Sequence, residues 1–228
     1  MKFGVVTFPG SNCDQDMIYV LGDLLKQEVV SLWHKDTDLK GVDMVVLPGG
    51  FSYGDYLRSG AIAKFSPIMT EVIKHANQGG YVLGVCNGFQ ILTESGLLPG
   101  ALLHNTDRKF ICKNVYIKPA SPKTPITAGL SMEDVYKIPI AHGEGRFFAD
   151  EKTIEEMEMH KQIVYRYCDE EGVVNARANP NGAIHNIAGI CNKERNVFGM
   201  MPHPERASSS LLGNKDGKKV FNHLFGIN

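Results

Sequence analysis

The sequence predicts an α/β fold with an open, mostly parallel sheet, helices on both faces, and extra antiparallel strands in the second half. Three observations lead to this prediction. Short apolar runs alternate with helical patterns in the first half, as in βαβ units. The second half is richer in strand-like runs. The turn sequence Asn179-Pro180-Asn181-Gly182 also predicts a connection between two antiparallel strands.

The helices and strands of the first half follow from local residue patterns. Asp14–Lys26 predicts a helix because its apolar side chains recur on one face. Pro67–Asn77 predicts another, since proline is favoured in the first turn of a helix. A third helix is predicted at Asn87–Glu94. The predicted strands are Phe3–Thr7, Val29–Trp33, Met44–Leu47 and Tyr81–Val85.

The second half adds strands and a closing helix at Lys218–Phe225, where Val220, Phe221, Leu224 and Phe225 are apolar. The predicted strands are Asn114–Lys118, Val135–Ile140, Ile163–Tyr167, Ile187–Cys191 and Val197–Met200. We find no repeat, low-complexity tract or linker composition, so residues 1–228 are predicted to form a single domain. The predicted fold class is therefore α/β with a flavodoxin-like open sheet.

Composition narrows the classes of function. The hydrophobic fraction of 43% and charged fraction of 21% are ordinary for a soluble globular protein. A net charge of -1 gives no reason to expect nucleic acid or an anionic membrane as a partner. The N-terminal segment reads as a strand and not as a signal peptide. Five cysteines without CxxC spacing argue against a disulfide scaffold or zinc ribbon and favour a reducing, cytoplasmic location.

Cys86 is the strongest candidate for a catalytic residue. It lies between a predicted strand and a predicted helix and is flanked by Gly84 and Gly88, which permit a sharp turn. Such an elbow lifts a nucleophile to the carboxyl edge of the sheet. The following helix points its positive end at the sulfur, which favours the thiolate that acts as nucleophile. The alternative is that Cys86 is a small buried apolar side chain, as most free cysteines are.

A general base is predicted at His203, with Glu205 as its partner. Two prolines, Pro202 and Pro204, favour an extended segment after the last strand. Residues two apart in an extended chain face the same side, so the carboxylate can orient the imidazole. The alternative is a surface turn with an incidental His–Glu pair.

The glycine-rich segment Pro48–Asp55 follows a strand and lacks the Gly-Lys-Ser/Thr ending of a phosphate-binding loop. We predict that it forms an oxyanion hole, with the main-chain amides of Gly50 and Asn87 as donors. A tight glycine turn is the alternative. The segment from His142 to Arg146 is either an active-site rim or an ordinary polar loop. The other cysteines are predicted to be structural, although Cys13, like Cys86, follows a predicted strand and precedes a predicted helix.

These motifs, in this order, resemble those of the class I (triad) glutamine amidotransferases. More narrowly, four segments look like the glutaminase subunits of phosphoribosylformylglycinamidine synthases, and the resemblance covers essentially the full chain. The four segments are Phe8–Asp14, Gly49–Asp55, His142–Gly145 and Met201–Arg206. The triad positions show no departure from the family pattern.

The resemblance implies a chemistry and a set of partners. Cys86, His203 and Glu205 would release ammonia from glutamine through a thioester. Family matching implies that the substrate contacts are Gly49, Phe51 and Gln90, with His142 and Gly143 as further rim candidates. No ATP site or metal cluster is recognisable in the sequence, so no cofactor is expected on this chain. ATP and Mg would belong to a large synthetase subunit, to which a small third subunit would form a bridge.

The same residues allow three alternative hypotheses. The chain could be the glutaminase subunit of another amidotransferase. It could be a different hydrolase on the same fold, such as a peptidase or a DJ-1-like protein, because fold does not fix function. It could also be a non-enzymatic subunit that senses glutamine. The His203-Pro204-Glu205 arrangement argues against the second, and an intact set of Cys, His and Glu argues against the third.

Overall fold

A computed structural model describes residues 1–121 and 130–225 of the chain. Its strands are β1 (Lys2–Thr7), β2 (Glu28–Trp33), β3 (Met44–Leu47), β4 (Tyr81–Val85), β5 (Ala101–Leu103), β6 (Ile111–Pro119), β7 (Tyr136–His142), β8 (Arg146–Phe148), β9 (Ile163–Cys168), β10 (Ile187–Cys191) and β11 (Val197–Met200). The α-helices are α1 (Asp14–Ile18), α2 (Pro67–Asn77), α3 (Asn87–Glu94), α4 (Glu151–Met159) and α5 (Asp216–Phe225).

The chain forms two compact units. Unit 1 contains Met1–Leu98 and Asn196–Gly199, and unit 2 contains Pro99–Arg195 and Met200–Asn228. The single domain inferred from sequence over residues 1–228 stays a prediction. Within residues 1–121 and 130–225, no helix combines the length and the apolar character that a membrane span requires.

Unit 1 carries the predicted parallel sheet. Its strands lie in the order β2-β1-β3-β4-β11, and the first four run parallel. Every residue of β3 is buried, as expected for a central strand covered on both faces. The helix expected over Asp14–Lys26 is present as α1 followed by a π-helix over Tyr19–Leu24. Lys26 ends it in a left-handed conformation, with φ of 55°.

Helix α3 packs very closely against β3. A Cβ added to Gly88 would overlap the carbonyl oxygen of Leu47, and one added to Gly84 would lie 2.6 Å from the Gly88 carbonyl carbon. Only glycine therefore allows the start of α3 to approach β3 and β4 at this distance. The close approach sets the turn between β4 and α3 at the carboxyl edge of the sheet, where ligands of parallel sheets bind.

Unit 2 contains the strands of the second half. Its main sheet has the order β10-β9-β6-β7 with antiparallel neighbours, and β5 and β8 form a separate antiparallel pair. Residues 179–182 lie in the connection between antiparallel strands β9 and β10, but short 3-10 helices flank them, so the connection is not a tight hairpin. The α/β fold class with extra antiparallel strands is confirmed.

Helix α4 and strands β5 and β8 have no counterpart in the sequence prediction. Helix α4 buries only Ile154 and Met157, so its apolar pattern is weak. Its start nevertheless has a side-chain cap, since Asp150 accepts a hydrogen bond from the Thr153 amide at 2.8 Å.

The close approach of α3 to β3 predicts a large stability difference between two Gly→Ala variants of unit 1. Gly88→Ala should lower the free energy of unfolding by about 2 kcal/mol or more, because backbone must move to relieve the overlap with Leu47. Gly22→Ala is the matched control. Its Cβ would meet only Val29, at 3.7 Å, and alanine favours a helix over glycine by roughly 1 kcal/mol. Urea unfolding of both variants measures the difference, and equal stabilities would contradict the packing described above.

Candidate active site

The candidate residues are divided between the two units. Those in unit 1 are Gly49, Gly50, Phe51, Cys86, Asn87 and Gln90. Those in unit 2 are His142, Gly143, His203 and Glu205. Each group has a geometry of its own.

Cys86 occupies a strained turn between β4 and α3. Its φ and ψ are 50° and -104°, a conformation that costs a non-glycine residue of order 1–3 kcal/mol and that is concentrated at functional sites. It is the N-cap residue of α3, and its carbonyl accepts a hydrogen bond from the Gln90 amide at 3.1 Å. The residue is 5% exposed. The strand–elbow–helix arrangement expected from the glycine bracket is therefore present.

The glycine-rich loop after β3 is held against the connection between β1 and α1. Gly50 has φ of 143° and forms an isolated bridge with Ser11. A Cβ there would lie 2.8 Å from the Asn12 nitrogen, so glycine is required. The Phe51 amide donates to the Gly10 carbonyl at 3.0 Å. The Phe51 amide is therefore the donor in the β-bridge between Ser11 and Gly50, and the Gly50 amide takes no part in it.

The Asn87 side chain joins the elbow to this loop. Its Oδ1 accepts from the Ser52 amide at 3.2 Å, and its Nδ2 donates to Gln90 Oε1 at 2.9 Å and to Asp55 Oδ1 at 3.4 Å. Gln90 is 4% exposed, and Phe51 is 44% exposed. The sequence indicated a role for the Asn87 main chain, whereas this role of its side chain was not foreseen.

Tyr53 anchors the same loop through its hydroxyl group. The hydroxyl lies 2.7 Å from His34 Nδ1 and 2.8 Å from Ser66 Oγ. Tyr53 itself has φ of 56°, a strained value for a non-glycine residue. Sequence reasoning missed this anchor because its three residues are far apart in the chain and no local motif joins them.

His203 and Glu205 form a buried pair in unit 2. His203 Nδ1 lies 2.6 Å from Glu205 Oε1, and the two residues are 2% and 1% exposed. The His203 amide also donates to the Pro139 carbonyl at 2.8 Å, which fixes this candidate base to β7. A buried carboxylate at this distance orients the imidazole, as in hydrolase triads.

One sequence expectation about this pair is wrong. The segment is not extended through Glu205, because a 3-10 helix begins at Pro204 and runs to Ala207. Proline suits that first helical position, since its missing N–H would have no intrahelical acceptor. His203 and Glu205 therefore meet across the start of a helical turn. Helix α5 packs on this turn so closely that a Cβ at Gly217 would overlap the Pro204 carbonyl oxygen.

His142 is buried at the end of β7 and is not part of an exposed loop. It is 3% exposed, and its Nδ1 lies 3.0 Å from Asn105 Oδ1. Burial, helped by the nearby charge of His203, lowers the pKa of His142 to about 4. Gly143 follows the strand, and its carbonyl accepts from the Asn105 amide at 2.9 Å. Asn105 was not singled out by the sequence, because nothing near it in the chain marks it.

Comparison with known proteins gives the family. Residues 1–221 match the family described as the CobB/CobQ-like glutamine amidotransferase domain. The chain belongs to this family. The glutamine amidotransferase relationship expected from the sequence is confirmed, and the chain is an enzyme subunit of that class.

Alignments with curated relatives cover almost the whole chain. Phosphoribosylformylglycinamidine synthase subunit PurQ of Koribacter versatilis is 56% identical over 226 residues, which is 99% of this chain and 98% of the relative. The subunit of that name from Synechocystis sp. is 57% identical over 220 residues, which is 96% of this chain and 98% of the relative. The narrower resemblance predicted from the sequence is thereby confirmed.

Solved structures agree with the fold. A chain in the structure of PurLQS from Thermotoga maritima is 41% identical, with a TM-score of 0.86 and coverage of 99% of this chain and 97% of that chain. A glutamine amidotransferase from Thermotoga maritima has a TM-score of 0.56 at 13% identity, with coverage of 99% of this chain and 82% of that chain. The second likeness shows the fold alone.

The remaining cysteines differ from Cys86 in geometry. Burial raises the pKa of Cys168 to about 11 and that of Cys191 to about 12, so both remain thiols at neutral pH. Cys112 is exposed on β6. Cys13 also precedes a helix, but its φ of -104° is ordinary, and no strained elbow is formed there.

The buried pair predicts unequal effects of two substitutions on ammonia release from glutamine. Glu205→Gln keeps an oxygen that can accept from His203 Nδ1, whereas His203→Ala removes the candidate base. In a serine-protease triad, loss of the acidic member does less damage than loss of the base. We expect the fall in kcat/KM with Glu205→Gln to be at least about tenfold smaller than with His203→Ala. Equal losses in two variants with native thermal unfolding midpoints would instead assign Glu205 a direct chemical role.

Proposed function

We propose that this chain is the glutaminase subunit of a phosphoribosylformylglycinamidine synthase. It hydrolyses glutamine to glutamate and ammonia, and the ammonia converts formylglycinamide ribonucleotide to formylglycinamidine ribonucleotide in purine biosynthesis. The observation that carries the proposal is 56–57% identity, over at least 96% of the chain, to subunits of that name. The strained Cys86 elbow and the buried His203–Glu205 pair support the chemistry.

The proposed reaction begins with attack of the Cys86 thiolate on the side-chain amide carbon of glutamine. His203 takes up the proton that the Cys86 thiol loses when the thiolate forms, and it then gives this proton to the leaving nitrogen, so that the C–N bond breaks and ammonia departs. Glu205 keeps the imidazole oriented through its contact with Nδ1. Water then attacks the γ-glutamyl thioester, which releases glutamate and restores the thiol.

Two main-chain amides are the proposed oxyanion donors. The Asn87 amide lies in the first turn of α3, where helical N–H groups have no intrahelical acceptor. The Gly50 amide is not used by the bridge to Ser11. Donors of this kind stabilise the negative charge that develops on the carbonyl oxygen.

The proposed substrate contacts are Gly49, Phe51, Gln90, His142 and Gly143. Phe51 has an exposed ring and Gly49 adjoins the proposed oxyanion donor. Gln90 is buried, and its Oε1 already accepts a hydrogen bond from Asn87, so its contribution would come through its Nε2 or through the position of Asn87.

Ammonia would pass to a large synthetase subunit that binds ATP and Mg, and a small third subunit would bridge the two. The likeness to a chain in the PurLQS structure supports these partners. Nucleic acid and membranes are not among the proposed partners. A cytoplasmic location remains a prediction from the cysteine pattern of the sequence.

The proposal is tested by separating ammonia production from ammonia use. In the complex with its synthetase partners, Cys86→Ala should abolish synthesis from glutamine and retain synthesis from added ammonium, because the variant loses only the nucleophile. Cys112→Ala, at an exposed thiol, is the matched control and should retain both reactions. Product formation is followed with each nitrogen source. Synthesis from glutamine by the Cys86 variant would contradict the assignment.

A further inference from the structure

The hydrogen bonds of Asn105 fix the tautomer of His142. Asn105 Nδ2 donates to the carbonyls of Lys109 and His142, at 2.8 and 2.9 Å, so this atom is the nitrogen of the amide. Oδ1 accepts from the Gly145 amide at 3.2 Å, and a main-chain N–H can only donate. The His142 Nδ1 that faces the same oxygen at 3.0 Å must therefore carry a proton.

The position of the imidazole ring is fixed as firmly as its tautomer. A Cβ on Gly145 would overlap the His142 ring, so glycine leaves the space in which the ring lies. The Gly145 carbonyl in turn accepts from Asn181 Nδ2 at 2.8 Å. Asn105 and Asn181 are 1% and 2% exposed, so these contacts lie in the interior of unit 2.

The other ring nitrogen of His142 has a different environment. Nε2 is buried, and no group in residues 1–121 or 130–225 forms a hydrogen bond with it. Because Nδ1 carries the proton, Nε2 presents a lone pair. The lowered pKa of His142 keeps the ring uncharged at neutral pH. A buried acceptor without a partner is costly, unless a ligand supplies the missing donor.

The His203 amide donates to the carbonyl of Pro139 in β7 at 2.8 Å, and His142 is the last residue of that strand, so both residues lie in the same part of unit 2. In the proposed mechanism His203 delivers a proton to the leaving nitrogen of glutamine. The acceptor atom, His142 Nε2, therefore lies near the residue that is proposed to protonate the amide nitrogen of glutamine.

We propose that His142 Nε2 accepts a hydrogen bond from the side-chain amide nitrogen of glutamine and thereby selects a carboxamide over a carboxylate. The inference rests on the proposed function and assigns His142 a specific role in it. Glutamine offers N–H donors at the reacting group, whereas the carboxylate of glutamate offers only acceptors. A fixed lone pair at Nε2 thus favours binding of the substrate and release of the product.

Two substitutions separate the two ring nitrogens. In His142→Asn, the amide nitrogen takes the position of Nδ1 and can still donate to Asn105, but no acceptor replaces Nε2. In His142→Gln, the amide group reaches the position of Nε2, where its oxygen can accept. Retention of the Asn105 contact is the reason for using asparagine and not alanine.

The substrates for the test are L-glutamine and the γ-methyl ester of L-glutamate, assayed in the complex with the synthetase partners. Both form the same thioester and need His203, but the ester has no N–H on its leaving group. Within each variant, the ratio of kcat/KM for glutamine to that for the ester is measured. A lower fraction of folded protein reduces both kcat/KM values by the same factor, so it leaves this ratio unchanged.

We expect the ratio to fall about tenfold or more in His142→Asn, the cost of leaving one buried group unpaired, and to recover in part in His142→Gln. Inhibition by glutamate should become stronger in His142→Asn. A ratio equal to that of the unmodified protein would overturn the inference, because a structural role would lower both rates together. Failure of the unmodified complex to release ammonia from glutamine would instead overturn the proposed function.

Discussion

The close approach of α3 to β3 is the constraint on which the candidate nucleophile depends. Glycine at position 88 lets the helix begin against the Leu47 carbonyl, and glycine at position 84 makes room in the strand before it. With both ends of the turn fixed, Cys86 is held at a φ of 50°. The strain at Cys86 is thus balanced by packing elsewhere in unit 1, which is how functional geometry that is locally unfavourable persists in a folded protein.

Unit 2 fixes its candidate groups by a different means, through hydrogen bonds among buried main-chain and side-chain groups. The Pro139 carbonyl holds the amide of His203, and Glu205 holds its ring. The Asn105 side chain forms hydrogen bonds with three main-chain groups and so fixes the tautomer of His142. These residues can therefore present defined donors and acceptors without rearrangement, which is the condition for electrostatic catalysis.

The sequence predicted what is encoded locally. The glycines around Cys86, the spacing of His203 and Glu205, and most strands of the sheet follow from neighbouring residues. Partners distant in sequence were missed: nothing near Asn105 indicates that its side chain faces His142, 37 residues away. Helix α4 was missed because few of its side chains are buried, and the turn at Pro204 because two prolines fit an extended chain equally well.

In the proposed reaction, Cys86 forms the covalent intermediate. The most direct measurement is acid quenching of the complex during turnover of glutamine, followed by digestion and mass spectrometry of the peptides. We predict a γ-glutamyl group bound as a thioester to Cys86. A γ-glutamyl group on Cys13, the other cysteine that precedes a helix of unit 1, would contradict the account, as would turnover with no cysteine modified.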